Sequence, residues 1–126
     1  MNQLDVKLRD LSRQIVQLRD KNKPCIICGK PLNYPVCCHY FKQSQSHILS
    51  WDLINIHLGC TYCNNLEEIF PVMNNNHLIL LIEREGESEY QKMKWLSNSG
   101  VKLSNFEKKT IISEYKQILK ELQNDN

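Results

Sequence analysis

The sequence predicts an α+β fold in which a small zinc-bound module of two strands and one helix is flanked by N-terminal and C-terminal helices. Apolar residues recur at helical spacing near both ends, and two Cys-x-x-Cys pairs enclose a middle part that is rich in turn residues. A chain of 126 residues has room for one domain rather than two. We divide it into an N-terminal amphipathic helix (residues 1–23), a zinc-binding module (24–76) and a helical C-terminal part (77–126).

The N-terminal segment carries an apolar seam with the 3–4 spacing of one helical face, formed by Leu4, Leu8, Leu11, Ile15 and Leu18. This spacing predicts a helix over residues 3–20 that ends before Lys23-Pro24. Because the seam is too short for a stable coiled coil, it favours packing against the core. Seven basic and three acidic residues fall within residues 1–30, so this helix is either a solvated basic face or a contact to the DNA backbone.

The module begins with prolines and glycine around the first cysteine pair, then has a strand-like run over residues 36–41. A second strand is predicted over 55–58, followed by the first turn of a helix at 64–68. The expected order is therefore strand, loop, strand, helix.

The C-terminal part contains an apolar run and a charged stretch over residues 77–96 that favour helix over strand. A turn is expected at Asn98-Ser99-Gly100. Ser104 and Glu107 have the spacing of a capping box, which predicts a last helix over 105–123. This part either packs on the module or forms a dimer interface, and Asn74-Asn75-Asn76 before it is expected to be a polar loop.

Two Cys-x-x-Cys pairs separated by 31 residues are the strongest motif: Cys25 with Cys28, and Cys60 with Cys63. Four thiolates on two tight turns suit tetrahedral zinc, and a closed four-sulfur site leaves no position for substrate, so this zinc is structural. The alternatives are buried free thiols or a redox or metal-sensing pair. Cys37 and Cys38 remain, and we expect them to be small buried residues.

The motifs between and after the pairs are Cys38-His39-Tyr40, Trp51-Asp52, Asn55-Ile56-His57 and Cys63-Asn64. Together with the cysteine pairs, this order resembles the zinc-stapled form of the HNH nucleases, also called ββα-metal or His-Me finger nucleases. Within that superfamily it is most similar to the NinG/Rap phage recombination nucleases and to recombination endonuclease VII. The resemblance covers residues 25 to about 66.

This resemblance implies a metal-dependent DNA endonuclease. His39 would be the general base, and Asn64 would be a ligand of a catalytic Mg²⁺ or Mn²⁺ ion. Asn55 would brace the loop between the strands and orient His39. An imidazole suits proton transfer near neutral pH, and a hard cation takes oxygen ligands, so these residue types fit phosphodiester hydrolysis.

The sequence also departs from the family pattern. Cys38 stands where these families usually have aspartate or glycine before the histidine, so a second ligand for the catalytic ion is unassigned. No arginine lies between Arg19 and Arg84, which leaves Lys42 and His47 as the residues nearest the motif that can bind the substrate phosphates. These departures favour the alternative function, a non-catalytic zinc module that binds nucleic acid or a protein partner.

The resemblance also implies a substrate and an assembly. The substrate would be branched recombination DNA such as a four-way (Holliday) junction, and paired nicks would require a homodimer, for which the flanking helices are candidates. The net charge is only +2, which argues against capture of DNA by the whole surface. We expect no membrane segment and, without a visible secretion signal, a cytoplasmic location, which is the host cytoplasm if a phage encodes the chain.

Three further side chains have structural interpretations. Trp51 is expected to be a core anchor. His77 is expected to be structural, and for His57 a structural and a functional role are equally open.

Overall fold

The computed structural model describes residues 2–43 and 46–125. It has α+β architecture, with five α-helices and one two-stranded sheet in this part of the chain. In chain order the elements are α1 (Gln3–Asp20), β1 (Pro35–His39), β2 (Ile56–Cys60), α2 (Thr61–Leu66), α3 (Pro71–Glu85), α4 (Glu87–Ser99) and α5 (Asn105–Asn124).

The two strands are antiparallel and pair over their full length, from Pro35 opposite Cys60 to His39 opposite Ile56. All five residues of β2 are buried, because α1 covers one side of the sheet and the cysteine pairs cover the other. The order strand, loop, strand, helix is confirmed, although β1 ends two residues earlier and β2 two residues later than predicted.

The short helix α2 returns along the sheet. Its first residue bonds to the residue just before β1, since the Thr61 N–H donates to the Tyr34 carbonyl at 3.0 Å. At its other end, Glu67 contacts Lys42, which follows β1. Both ends of α2 are therefore tied to the two ends of β1.

The predicted helices at the chain ends are confirmed, and they pack on each other. Leu8 of α1 and Ile112 of α5 share an apolar cluster with Trp51, which is 5% exposed and so is the expected core anchor. The Tyr115 hydroxyl donates to the Trp51 carbonyl at 2.7 Å. The apolar seams of α1 and α5 therefore face each other within one chain.

The segment after the module forms two helices instead of one. Gly86, with φ of 96°, stands between α3 and α4 in a backbone conformation that favours glycine. The polar loop predicted at Asn74-Asn75-Asn76 is wrong, because these residues lie inside α3, which begins at Pro71 in the favourable first-turn position. Helix α3 also runs through the predicted boundary between residues 76 and 77.

The predicted turn and capping box are both present. Gly100 ends α4 in the left-handed conformation. The Glu107 N–H donates to Ser104 Oγ, and the Ser104 N–H donates to the Glu107 carboxylate, so two free amide donors at the start of α5 are satisfied. None of the helices in the described part of the chain combines the length and the apolar character needed to cross a membrane.

Candidate functional site

The first cysteine pair lies in a tight turn. Gly29, with φ of 74°, closes this turn, and its N–H donates to the Cys25 carbonyl at 2.9 Å. The N–H groups of Ile27 and Cys28 point at Cys25 Sγ, at 3.3 and 3.4 Å. Amide donors around a sulfur stabilise its negative charge, so the turn is preorganised for a thiolate that binds metal.

The second pair continues from the sheet into α2. Cys60 is the last residue of β2, and Cys63 lies in the first turn of α2. The Cys60 N–H donates across the site to Cys25 Sγ at 3.2 Å, and the Asn33 N–H lies 3.4 Å from Cys60 Sγ. The sheet therefore brings the two pairs together although 31 residues separate them.

The four sulfur atoms all lie within 4.8 Å of one another, and this is the grouping of metal-ligating side chains found in the described part of the chain. Four cysteines in this arrangement can hold one zinc ion. Since all four ligands come from the protein, the metal would have no open position and would stabilise the fold.

Cys38 belongs to the core around the cysteine pairs but not to the four-sulfur group. It is fully buried, and burial raises the pKa of its thiol to about 12. A Cβ atom at position 59 would lie 2.8 Å from Cys38 Sγ, so glycine is required at Gly59. Cys37 is only partly buried and packs on the opposite face of the sheet, against the cluster that contains Val16 of α1. The expected burial is thus complete for Cys38 and partial for Cys37.

His39 lies at the end of β1, and its ring orientation is set by the loop between the strands. Its Nε2 atom is 2.9 Å from the Ser50 carbonyl oxygen, which can only accept a hydrogen bond. In the neutral ring Nε2 therefore carries the hydrogen and Nδ1 holds the lone pair. Burial lowers the pKa of His39, although the bond to Ser50 acts in the opposite direction. The neutral ring is thus favoured, with Nδ1 as its proton acceptor.

Asn55 holds the two ends of the interstrand loop together. Its Oδ1 accepts from the Phe41 N–H at 2.9 Å, and its Nδ2 donates to the carbonyl groups of Phe41 and Leu49, at 2.9 and 3.0 Å. Asn55 is completely buried, so these bonds are shielded from water. The same loop supplies Ser50, which orients His39, and Asn55 therefore supports the His39 ring indirectly.

Glu67, which the sequence analysis did not single out, is the centre of a buried polar network. Its carboxylate accepts from Lys42 Nζ at 3.2 Å, from Asn74 Nδ2 at 3.1 Å and from the ring of His77. Burial alone would raise the pKa of Glu67, but His77 and Lys42 lower it below its ordinary value. The available signal was its spacing of three residues from Asn64, which places both on one side of a helical turn.

Lys42 also donates to the His39 carbonyl at 3.0 Å. Through this lysine, the backbone of His39 is connected to the end of α2, three residues beyond Asn64. The Asn64 side chain is partly exposed, and within the described residues it has no hydrogen-bond partner. Its amide oxygen is available to a ligand.

The two residues predicted to bind substrate lie in different cavities. Lys42 lines a cavity of about 570 Å³ together with Glu67 and Glu68. His47 lines a separate cavity of about 330 Å³, and within the described part of the chain its buried Nδ1 atom has no partner.

The other two histidines are buried. His57 is fully buried in β2, with Nε2 3.6 Å from the Glu85 carboxylate. His77 is fully buried and bonded to Glu67, in agreement with the structural role expected for it. Neither ring is exposed to a substrate, so the structural interpretation of His57 is the better one.

Comparison with known proteins matches the chain to a family model. The family model described as "Bacteriophage Lambda NinG protein" matches residues 3–125. No curated protein and no solved structure matches the chain.

Proposed function

Since its match extends over nearly the whole sequence, the chain belongs to the family of the bacteriophage lambda NinG protein, and we propose that it is an HNH-type, metal-dependent DNA endonuclease. Family membership is consistent with a recombination-related role in a phage. The observation that carries the enzymatic proposal is the His39 ring, which the Ser50 carbonyl holds at Nε2 so that Nδ1 is the proton acceptor.

In this proposal His39 removes a proton from the attacking water at Nδ1. Its neutral form, favoured by burial, is the form that can act as a base. Asn55 is a positioning residue, because its three hydrogen bonds keep the loop that carries Ser50 in place. The four-cysteine group holds zinc and so fixes the start of α2, where Asn64 follows Cys63 directly.

A divalent ion is the remaining component. An amide oxygen fits Mg²⁺ or Mn²⁺, which usually take one or two protein oxygens together with water and phosphate oxygens. Asn64 would supply such an oxygen, and the bound ion would neutralise charge on the scissile phosphate and the leaving oxygen. Lys42 and His47 are the proposed contacts to substrate phosphates, and a four-way junction is the proposed substrate, with two copies of the chain making paired nicks.

A second function is favoured by one observation. Lys42, the only basic residue between Lys30 and Arg84, is paired with Glu67, so its charge is already compensated within the protein. This pairing favours a zinc module that binds nucleic acid or a protein partner without cleaving DNA.

A nuclease assay separates the two functions. Zinc-loaded protein is incubated with a four-way junction and with a linear duplex in Mg²⁺ or Mn²⁺. We expect cleavage of the junction, and His39→Ala should lower its rate at least about 100-fold, the usual contribution of a general base. Asn64→Ala should abolish cleavage. The matched control is Asn65→Ala, which changes the neighbouring exposed asparagine and should cleave normally.

Two results would contradict the enzymatic proposal. Cleavage that persists in His39→Ala would remove His39 as the base. Absence of cleavage by the parent protein with both metals and both substrates would leave the binding module as the function.

A further inference from the structure

Two clefts at the end of α4 share Ser97 in their walls. One is the cavity of about 330 Å³ that His47 lines, and it also contains Gln43 and Lys102. The other has a volume of about 440 Å³ and contains Tyr40 and Lys94. We call the two clefts together the α4 groove.

The charge of the α4 groove suits an anion. Each cleft contains one lysine, Lys94 or Lys102, and both lysines are exposed. Within the described residues, neither cleft is lined by a carboxylate. The larger cavity of about 570 Å³ differs, since Glu67 and Glu68 line it. Lys42 also lines the larger cavity, but it is paired with Glu67 there, so a phosphate would be attracted more strongly to the α4 groove.

The carbonyl groups at the end of α4 do not oppose the binding of a phosphate in the groove. The last carbonyls of a helix carry partial negative charge when they have no donor. Here the Lys94 carbonyl accepts from Ser97 Oγ at 2.7 Å and from Asn98 Nδ2 at 3.1 Å. The Leu96 carbonyl accepts from Ser99 Oγ at 2.7 Å. These side chains weaken the repulsion that a phosphate would meet.

The groove also passes next to His39. Gln43, in the wall of one cleft, has its side-chain nitrogen 3.3 Å from His39 Nε2. Tyr40, in the wall of the other, follows His39 directly in the chain. The buried, unpartnered Nδ1 of His47 is a further polar atom in the wall of the first cleft.

We propose that the α4 groove binds the DNA backbone, with Lys94 and Lys102 each contacting one phosphate on the path to His39. This inference rests on the proposed function, because it assumes that DNA is the substrate. The loop after β1 offers only Lys42 as a cationic phosphate contact among its lysines and arginines, and the groove adds two more in the C-terminal helical part of the chain.

The test is the salt dependence of DNA binding. Binding of a fluorescent duplex and of a fluorescent four-way junction is measured by anisotropy at several salt concentrations, with no added divalent ion and no chelator. Each phosphate contact contributes about 0.9 to the slope of log K against log salt on duplex DNA. The double variant Lys94→Ala/Lys102→Ala should bind more weakly, and its slope should be smaller in magnitude by about 2.

The matched control is Lys109→Ala/Lys120→Ala, which removes two exposed lysines of α5. It should leave the slope unchanged. Because all four lysines are exposed, both double variants should keep the melting temperature of the parent protein.

The outcomes distinguish the DNA-binding role of the groove from the nuclease activity. Equal slopes for the parent and the Lys94→Ala/Lys102→Ala variant would overturn DNA binding by the groove, even if junction cleavage is observed. A reduced slope in a protein that cleaves no DNA would support the groove and overturn the endonuclease. A parent protein that binds neither DNA would overturn both.

Discussion

His39 shows how a single ring is prepared for one protonation state. The Ser50 carbonyl takes the hydrogen of Nε2, and burial disfavours the charged ring. Both effects leave a lone pair on Nδ1. For a base near neutral pH this is the useful form, because a protonated ring accepts no proton.

The lowered pKa of His39 predicts a pH dependence. A general base is active when it is deprotonated, so the rate should rise with pH and reach half of its plateau below the ordinary histidine pKa of 6.5. The measurement is kcat/KM for junction cleavage between about pH 5 and pH 8 at saturating Mg²⁺. A midpoint at or above 6.5 would contradict a partly buried, neutral His39 as the base.

Asp20 shows how elements are connected by one buried carboxylate. It is the last residue of α1 and is completely buried. Arg19 Nε donates to it at 2.7 Å, and the Leu58 N–H of β2 donates to it at 3.2 Å. Arg84 of α3 lies 3.9 Å away. Burial would raise the pKa of Asp20, but the bonds and charge of Arg19 together with the Leu58 N–H lower it.

We predict that Asp20→Asn lowers the free energy of unfolding by about 2–3 kcal/mol at neutral pH, because the partly buried arginines lose their counter-charge and the Leu58 N–H loses a charged acceptor. Since the folded pKa of Asp20 is below 3.8, this contribution is present above pH 3.8 and is lost as the pH falls through the lowered value. Urea unfolding of the parent and the variant is measured from neutral to acidic pH. It checks the size of the loss at neutral pH and whether the two unfolding free energies become equal at acidic pH.

The control for Asp20 is Asp10→Asn. Asp10 pairs with Arg9 on the exposed side of α1, so its replacement should change the free energy of unfolding by less than about 1 kcal/mol. An equal loss in the two variants would show that the burial of Asp20 has no special effect.

At the scale of the whole molecule, two of the apolar core clusters differ in what stabilises them. One surrounds the four cysteines and includes Ile26 and Ile27. The other joins α1 to α5 around Trp51. The first lies around the four sulfurs, so its stability should depend on bound metal, whereas the second consists of apolar contacts.

Metal removal should therefore unfold the module. We expect one zinc ion per chain by native mass spectrometry, and a strong chelator should lower the melting temperature and abolish DNA binding. Cys28→Ser should lose the zinc, whereas Cys37→Ser, which changes a cysteine outside the four-sulfur group, should keep it. A chain that stays folded without metal, or a Cys28→Ser variant that retains zinc, would contradict a structural zinc site.

Local sequence patterns were sufficient to predict many of the elements and motifs of this molecule. The apolar spacing in α1, the capping box of α5 and the cysteine pairs each depend on residues close in sequence, so they could be predicted without a fold. The break at Gly86 could not be placed as easily, because glycine inside a helical pattern is often tolerated. The helical Asn74-Asn75-Asn76 was missed since the low helix propensity of asparagine is overcome by contacts of α3 with Ile27 and Glu67.

The residues near one another in sequence thus specified the elements, each of the two cysteine pairs and the place of His39 in the first strand. The packing of distant segments specified the rest: the Ser50 carbonyl that selects the His39 tautomer, the neutralisation of Lys42 by Glu67, and the lysines of the α4 groove. These features bring together residues up to about 60 positions apart, and local spacing does not predict which such distant side chains meet after folding. The burial of a side chain and the charges around it, which determine its chemistry, are set only by these tertiary contacts.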